Sequence, residues 1–415
     1  MALPKTRLGI VGCGGIAGVH LDGYQLLRQH GCDCFQITAV CDLAEERTAA
    51  FARRIAGFQE QAPRRFHSVK ELLAAGIVDG VDVCTMHADH HVTCVQCLDA
   101  GVHVLVEKPL GVTVRAGRRI QAAARRSGCL LSVAENSRRG LGQRAVAWLL
   151  NEDRRLGAPR LFAIEYLHGP SLPAAAKAEP EPVDAVPWRR DRLLAGGGWT
   201  YDGGVHLMDS LQVYFGPVEA VHAEHRTLEP SFSVLKDGRR VPHDGEDTCI
   251  ATFRCASGVI GHWTWSQVLA GADYTRVAFY CERGYVLDDT PGGWTHTFGG
   301  GFIDSQARIV TADGAELRSR DLEVEYLLRL GAAEKERLFP HGVQRGIAAE
   351  CHEFVDCLRS GRQPEVDAEA GLRALAVSAA LYEAAAGHCE VRVADVLEGR
   401  VDAYQRPIDA HWGLL

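Results

Sequence analysis

The chain has 415 residues, enough for two or three domains, and 45 Lys+Arg stand against 53 Asp+Glu for a formal charge of −8. That mild acidity offers no basic stripe for nucleic acid, and 47% hydrophobic with 24% charged residues excludes wholesale disorder. No apolar run reaches the roughly 18 residues of a membrane span, the richest stretch being broken by Arg373, Ser378 and Glu383.

Strands and helices alternate over the first third of the chain. Leu8–Gly12 reads as an apolar strand, Gly15–Gln29 as a helix, Gln36–Cys41 as a strand and Ala44–Ile55 as a helix. A short helix over Ser68–Ala75 precedes a strand at Gly80–Thr85, a helix at His91–Ala100 and a strand at His103–Val106. A helix at Val114–Ser127 and a fifth strand at Leu130–Ala134 follow. Short buried strands separated by helices imply parallel pairing through crossovers, hence a doubly wound α/β sheet.

The first strand–helix turn carries Gly12-Cys13-Gly14-Gly15-Ile16-Ala17, a G-x-G-x-x-A pattern between an apolar strand and a helix. Gly12 permits a tight turn, Gly14 lets the backbone approach a pyrophosphate, and Ala17 lets helix and strand pack closely. The N–H groups of Gly15 and Ile16 open the helix and face the phosphates. Asp42 ends the second strand, where a carboxylate binds a ribose hydroxyl and repels a 2′-phosphate, so the expected cofactor is NAD rather than NADP. A cap for the following helix is the other reading of Asp42.

Two later motifs narrow the family. Glu107-Lys108-Pro109 closes the fourth of these strands, and a glycine run leads through Trp199-Thr200-Tyr201-Asp202-Gly203-Gly204-Val205-His206 to Asp209. With the Gly-rich turn, Trp188-Arg189, Glu246-Asp247-Thr248 and Pro364-Glu365-Val366, the chain resembles the Gfo/Idh/MocA oxidoreductases over most of its length. The resemblance implies a dinucleotide-binding domain over 1–137 and an α+β substrate and oligomerisation domain over 138–415, with a late helix around 369–387 packing back on the first. It gives Lys108 a place beside the nicotinamide and the reacting hydroxyl, and makes Asp202 and His206 a D-x-x-x-H catalytic pair. Thr85, His90 and Glu107 join the cofactor set; Asn136, His168 and Arg189 join the substrate set. Thr85 is followed by Met86 and His87 where the family usually has proline, which puts that loop's shape in question and makes His87 and Asp89 candidates there too. The Lys108–Pro109 bond is expected to be cis.

Residue chemistry supports these roles. Hydride loss from an alcohol must be matched by loss of the hydroxyl proton, which an imidazole accepts near neutral pH. Asp202 and His206 are four apart and share a face on a helix, with Asp202 as orienting group or helix cap. An ammonium from Lys108 stabilises a developing alkoxide.

The second half has strand patterns at Leu161–His168, Val218–Arg226, Thr248–Cys255, Val259–Ser266, Tyr274–Cys281 and Gly284–Asp288, then long helices at Gln344–Arg359 and Glu369–Ala386. In the family this sheet leaves one face open for subunit pairing. Trp263, Trp265, Phe279 and Tyr280 fit such a face, so a homodimer or homotetramer is expected; the alternative packs them under the domain's own helices. The Pro/Ala-rich insert 169–187 reads as a candidate substrate lid and 290–301 as a second loop.

No signal-like apolar segment opens the chain, so a cytoplasmic location and reduced thiols are expected for its 14 cysteines. Cys94 and Cys97 have C-x-x-C spacing without a second ligand pair and read as buried helix residues; no metal is predicted. The reading is an NAD-dependent dehydrogenase acting on a secondary hydroxyl of a sugar, glycoside or cyclitol. An NAD-retaining glycosidase working by oxidation, elimination and reduction would use the same residues, and a non-catalytic NAD sensor is the third reading.

Overall fold

The computed structural model describes residues 4–169, 183–289 and 307–415. Most of the 169–187 insert and the whole 290–301 loop lie outside the described residues.

The chain divides into two compact units. The first comprises Met1–Gly111, Arg115–Arg139 and Leu330–Leu372. Its strands are β1 (Thr6–Val11), β2 (Phe35–Cys41), β3 (Arg64–Phe66), β4 (Gly80–Val83), β5 (His103–Glu107) and β6 (Leu131–Ala134), in the order β3-β2-β1-β4-β5-β6 with every pair parallel. The crossovers are α1 (Gly15–Gln29), α2 (Glu45–Ala56), α3 (Val69–Ala74), α4 (His87–Asp99) and α5 (Val114–Ser127). This is the expected doubly wound sheet, with β1 and β4 adjacent at the switch point where such sheets open a ligand crevice. β3 is additional: Arg64 and Arg65 are exposed and only Phe66 is buried, so this edge strand has no apolar run to announce it. α4 begins four residues before the expected His91, because buried His87 and His90 occupy positions that look polar in sequence.

The division expected at 137/138 placed the return of the chain at a late helix around 369–387; by contacts the returning segment lies earlier, and Arg373–Leu415 groups with the second unit. The segment Leu330–Leu372 belongs to the first unit. Its helix Gly346–Ser360 packs on α1, placing Cys351, Phe354 and Val355 in one core with Leu21, Tyr24, Leu27 and Phe35. The backbones approach so closely that a Cβ on Gly23 would lie 3.3 Å from Ala348 Cα. The same segment edges the sheet, the Val366 carbonyl accepting the Val133 N–H at 2.9 Å. A helical period marks the buried face of Gly346–Ser360 but not which sheet it covers.

The second unit is built on a nine-stranded sheet. Its strands are β7 (Pro159–His168), β8 (Val218–Arg226), β11 (Thr248–Cys255), β12 (Ile260–Ser266), β13 (Asp273–Cys281), β14 (Gly284–Asp288), β15 (Arg308–Thr311), β16 (Glu316–Arg318) and β17 (Val391–Arg392), ordered β16-β15-β14-β13-β7-β12-β11-β8-β17. All pairs are antiparallel except β7 with β12. β9 (Phe232–Val234) and β10 (Arg240–Pro242) form a separate hairpin.

Trp263, Trp265 and Phe279 do not form the open face. All three are at most 1% exposed and pack inward, Trp265 stacked on Trp199 at 4.7 Å and Phe279 against Tyr214 and Phe215 of helix Gly204–Phe215. Alternation says which residues share a face, not which face is covered. Among the described residues, Leu161, Ile250, Ile260 and Tyr274 are the exposed large apolar side chains on the strands of the nine-stranded sheet.

Gly23→Val is expected to cost about 1–3 kcal/mol through overpacking against Ala348, read as a lower urea midpoint. An unchanged midpoint would show that the two helices separate freely.

Candidate active site

β1 ends at Val11, and Gly12 turns the chain with φ +87°, its missing Cβ only 2.6 Å from the Cys84 carbonyl oxygen. Only glycine fits there. Gly14 is the N-cap of α1, and where side chains on Gly14 and Gly15 would sit nothing lies within 4 Å. The turn therefore leaves an open cradle at the positive end of a 15-residue helix, whose first N–H groups lack helical partners. Ala17 is fully buried and Ile16 partly so.

Asp42 pins this turn. It accepts from Cys13 N through Oδ2 and from Ala44 N through Oδ1, each at 2.8 Å. It thus serves the entry of α2 and the Gly-rich turn together, while each carboxylate oxygen keeps a second acceptor position for a hydroxyl. Thr85 adjoins the turn, its N lying 3.1 Å from the Gly12 Cβ position. Its buried Oγ1 has no hydrogen-bond partner among the described residues. An empty helix-end cradle, a strand-end carboxylate and an orphaned hydroxyl fit a dinucleotide.

Lys108 directly follows β5, at the carboxyl edge of the same parallel sheet, and the Lys108–Pro109 bond is cis. Glu107, expected in the cofactor set, turns inward: Oε2 accepts the Lys108 N–H at 3.1 Å and Oε1 lies 2.9 Å from His20 Nε2. His20 is fully buried on α1, with Nδ1 2.9 Å from Asp82 Oδ2 on β4; Tyr24 also donates to that oxygen, at 3.1 Å. Burial opposes charge on His20, but the Asp82 carboxylate raises its pKa well above the ordinary value. The ring is an imidazolium donating at both ends, tying α1, β4 and the Lys108 loop together. Sequence reading missed His20 and Asp82. The available signal was an acid at an inward position of the otherwise apolar strand Gly80–Val83.

His90 is buried beside the same loop, 2.9 Å from Pro109 O through Nδ1 and 3.3 Å from Thr85 O through Nε2. The shorter contact assigns the proton to Nδ1. Burial, then the neighbouring His87, holds its pKa down at about 4. Asn136 follows β6; its carbonyl accepts from Arg139 N and its Oδ1 from the Ser137 hydroxyl.

In the second unit, Glu246 organises the glycine run. Its carboxylate accepts from Gly198 N at 3.2 Å, Thr200 N at 2.8 Å, the Thr200 hydroxyl and Tyr382 OH at 2.8 Å. A Cβ on Gly198 would lie 2.5 Å from this carboxylate, and one on Gly197 2.5 Å from the Tyr382 ring. Asp202 closes the short helix Trp199–Asp202, and Gly203 takes the cap position of Gly204–Phe215, so Asp202 is not that helix's cap. Asp202 forms an ion pair with Arg189, whose guanidinium lies 4.8 Å from the centre of the Trp188 ring. His206 stands in the first turn of Gly204–Phe215, partly exposed. His168 ends β7 with Nδ1 3.2 Å from Asp273.

A model of the oxidoreductase family with an NAD-binding Rossmann fold matches residues 6–135, and one of the GFO/IDH/MocA C-terminal domain matches 148–287. The 1,5-anhydro-D-fructose reductase of Ensifer adhaerens is 28% identical over 383 residues, 92% of this chain and 96% of that protein. The D-apiose dehydrogenase of Paraburkholderia graminis is 24% identical over 400 residues, 91% and 87% of the two chains. The fold is shared with a levoglucosan dehydrogenase solved with NADH and levoglucosan (TM-score 0.73, 19% identity, 94% of this chain and 99% of that one). It is also shared with the WlbA dehydrogenase of Bordetella pertussis solved with NADH and UDP-GlcNAcA (TM-score 0.70, 23% identity, 94% and 98%).

His90 makes folding acid-sensitive. Its ring stays neutral in the native chain down to about pH 4, whereas the unfolded ring takes up a proton near pH 6.5. Stability is therefore lost as pH falls from about 6.5 to 4, by roughly 3 kcal/mol for this group. Urea titrations across that range should show a shallower loss in His90→Asn; parallel losses would refute this.

Proposed function

Because the chain belongs to the Gfo/Idh/MocA family of NAD-binding oxidoreductases, we propose that it oxidises or reduces a secondary hydroxyl of a sugar, glycoside or cyclitol. The observation that carries this reading is Lys108 at the carboxyl edge of the sheet whose first turn is an open dinucleotide cradle. The names of the relatives, a reductase and a dehydrogenase of small sugars, support the substrate class.

Gly12–Ala17 would hold the pyrophosphate of NAD, Asp42 the ribose, and Thr85 and His90 the neighbourhood of the ring. NAD, when bound, takes up or returns the hydride of the reacting carbon. Lys108 presents its ammonium to the reacting oxygen and stabilises negative charge there. His206 accepts the hydroxyl proton during oxidation and gives it back during reduction. Asp202, held by Arg189, presents acceptors to substrate hydroxyls while the guanidinium presents donors. Asn136 of the first unit and His168 of the second are the further residues assigned to the substrate. The face bearing Leu161, Ile250 and Ile260 is the surface we assign to self-association.

A screen of sugars and inositols with NAD, followed by absorbance of the reduced cofactor, tests the reading. Turnover of a polyhydroxylated ring is expected; glycoside hydrolysis with the cofactor retained, or no turnover, would overturn it. Lys108→Ala should lower turnover by about 10² or more with NAD binding nearly intact, and wild-type turnover would remove the lysine from the mechanism. Asp42→Ala should shrink the preference for NAD over NADP in kcat/KM; an unchanged ratio counts against the ribose contact.

A further inference from the structure

The connection between α1 and β2 brings Cys32 to two histidines of the returning segment, with Cys34 beside it. The ligand atoms of Cys32, His341 and His352 all lie within 4.8 Å of one another, and the sulfurs of Cys32 and Cys34 are 3.4 Å apart. Cys32 is buried, Cys34 and His352 are half-buried and His341 is exposed. The His341 and His352 rings meet edge to face, with centroids 6.0 Å apart. His341 is one of three non-glycine residues with positive φ among those described, at +53°, and its backbone N–H is satisfied by Glu336 at 3.1 Å.

We propose that Cys32, His341 and His352, already clustered, hold a zinc-class divalent ion and that the Cys34 sulfur, beside Cys32, turns in as the fourth ligand of a tetrahedral site when the ion binds. A disulfide needs its sulfurs about 2.05 Å apart. The 3.4 Å separation is instead close to the edge of a zinc tetrahedron, roughly 3.3–3.8 Å for bonds of about 2.1 Å to nitrogen and 2.3 Å to sulfur. Two thiolates balance the ion's charge, and two sulfurs with two imidazoles form the ligand set that selects zinc over magnesium or calcium. The role is structural. The Cys34 carbonyl accepts the Thr6 N–H at the start of β1, so the site lies at the amino ends of the strands, away from Gly12 and Lys108. With all four protein ligands engaged, no position is left open for a substrate. The ion joins the α1–β2 connection to the segment that completes the first unit.

The test uses the full chain, purified under reducing conditions, with metal content measured by mass spectrometry. About one zinc per chain is expected, and cobalt(II) in its place should give thiolate charge-transfer bands in the near ultraviolet. Cys32→Ser and His352→Ala should lose the metal and the bands, while Cys129→Ser keeps both. Where a variant fails to fold, titration of stripped wild-type chain with zinc(II) against a chromophoric chelator reads the site directly. Failure of the wild-type chain to take up zinc in that titration would overturn the assignment, as would a Cys32–Cys34 disulfide in the reduced preparation or full metal content in the folded variants.

Discussion

A charged imidazole sealed inside the first unit constrains everything above it. His20 reaches Asp82 on β4 with one nitrogen and Glu107 at the end of β5 with the other. An imidazolium without water is costly, and here two carboxylates at hydrogen-bond distance offset that cost. Removing one partner would leave an uncompensated charge, so the triad acts as a single lock. Its value is positional. α1 carries the Gly-rich cradle and Glu107 holds the Lys108 backbone, so one ring sets the cradle's helix against the loop that carries the lysine.

The second unit solves a parallel problem with a different group. Glu246 is a buried carboxylate surrounded by donors: two backbone N–H groups and two hydroxyls. Those donors fix the path of Gly196–Trp199, and that path delivers Asp202 and His206. Side chains are missing from the run because the carboxylate and the Tyr382 ring occupy the space. In both units the residues proposed for the chemistry stand at or near the ends of regular elements, and a buried polar group holds the backbone that carries them.

Much of this was legible in the sequence. The alternation of apolar strands and helices gave the parallel sheet, and Gly12, Gly14 and Asp42 announced the dinucleotide turn because backbone geometry leaves few alternatives there. The polar core was not legible. His20, Asp82 and Glu246 look like surface residues in one dimension, since only tertiary structure reveals a partner. For the same reason Arg189 and Asp202 were read as separate contacts rather than a pair. Trp263, Trp265 and Phe279 follow the alternative reading, packed under their own domain's helices, because period two leaves the two faces equivalent until a helix covers one. The return of Leu330–Leu372 was hidden because a helical stripe is apolar whatever it packs against.

That return has a consequence for how the chain is made. The first unit needs Leu330–Leu372 for its core, yet about 190 residues of the second unit are translated in between. At roughly 5–20 residues per second, the nascent sheet waits on the order of 10–40 s with the face beneath Gly23 and Tyr24 uncovered. Cotranslational folding therefore cannot finish from the N-terminus forward. A product terminated before Leu330 would leave that apolar face exposed, so the core that backs the Gly-rich turn closes only after residues far downstream of it have been made.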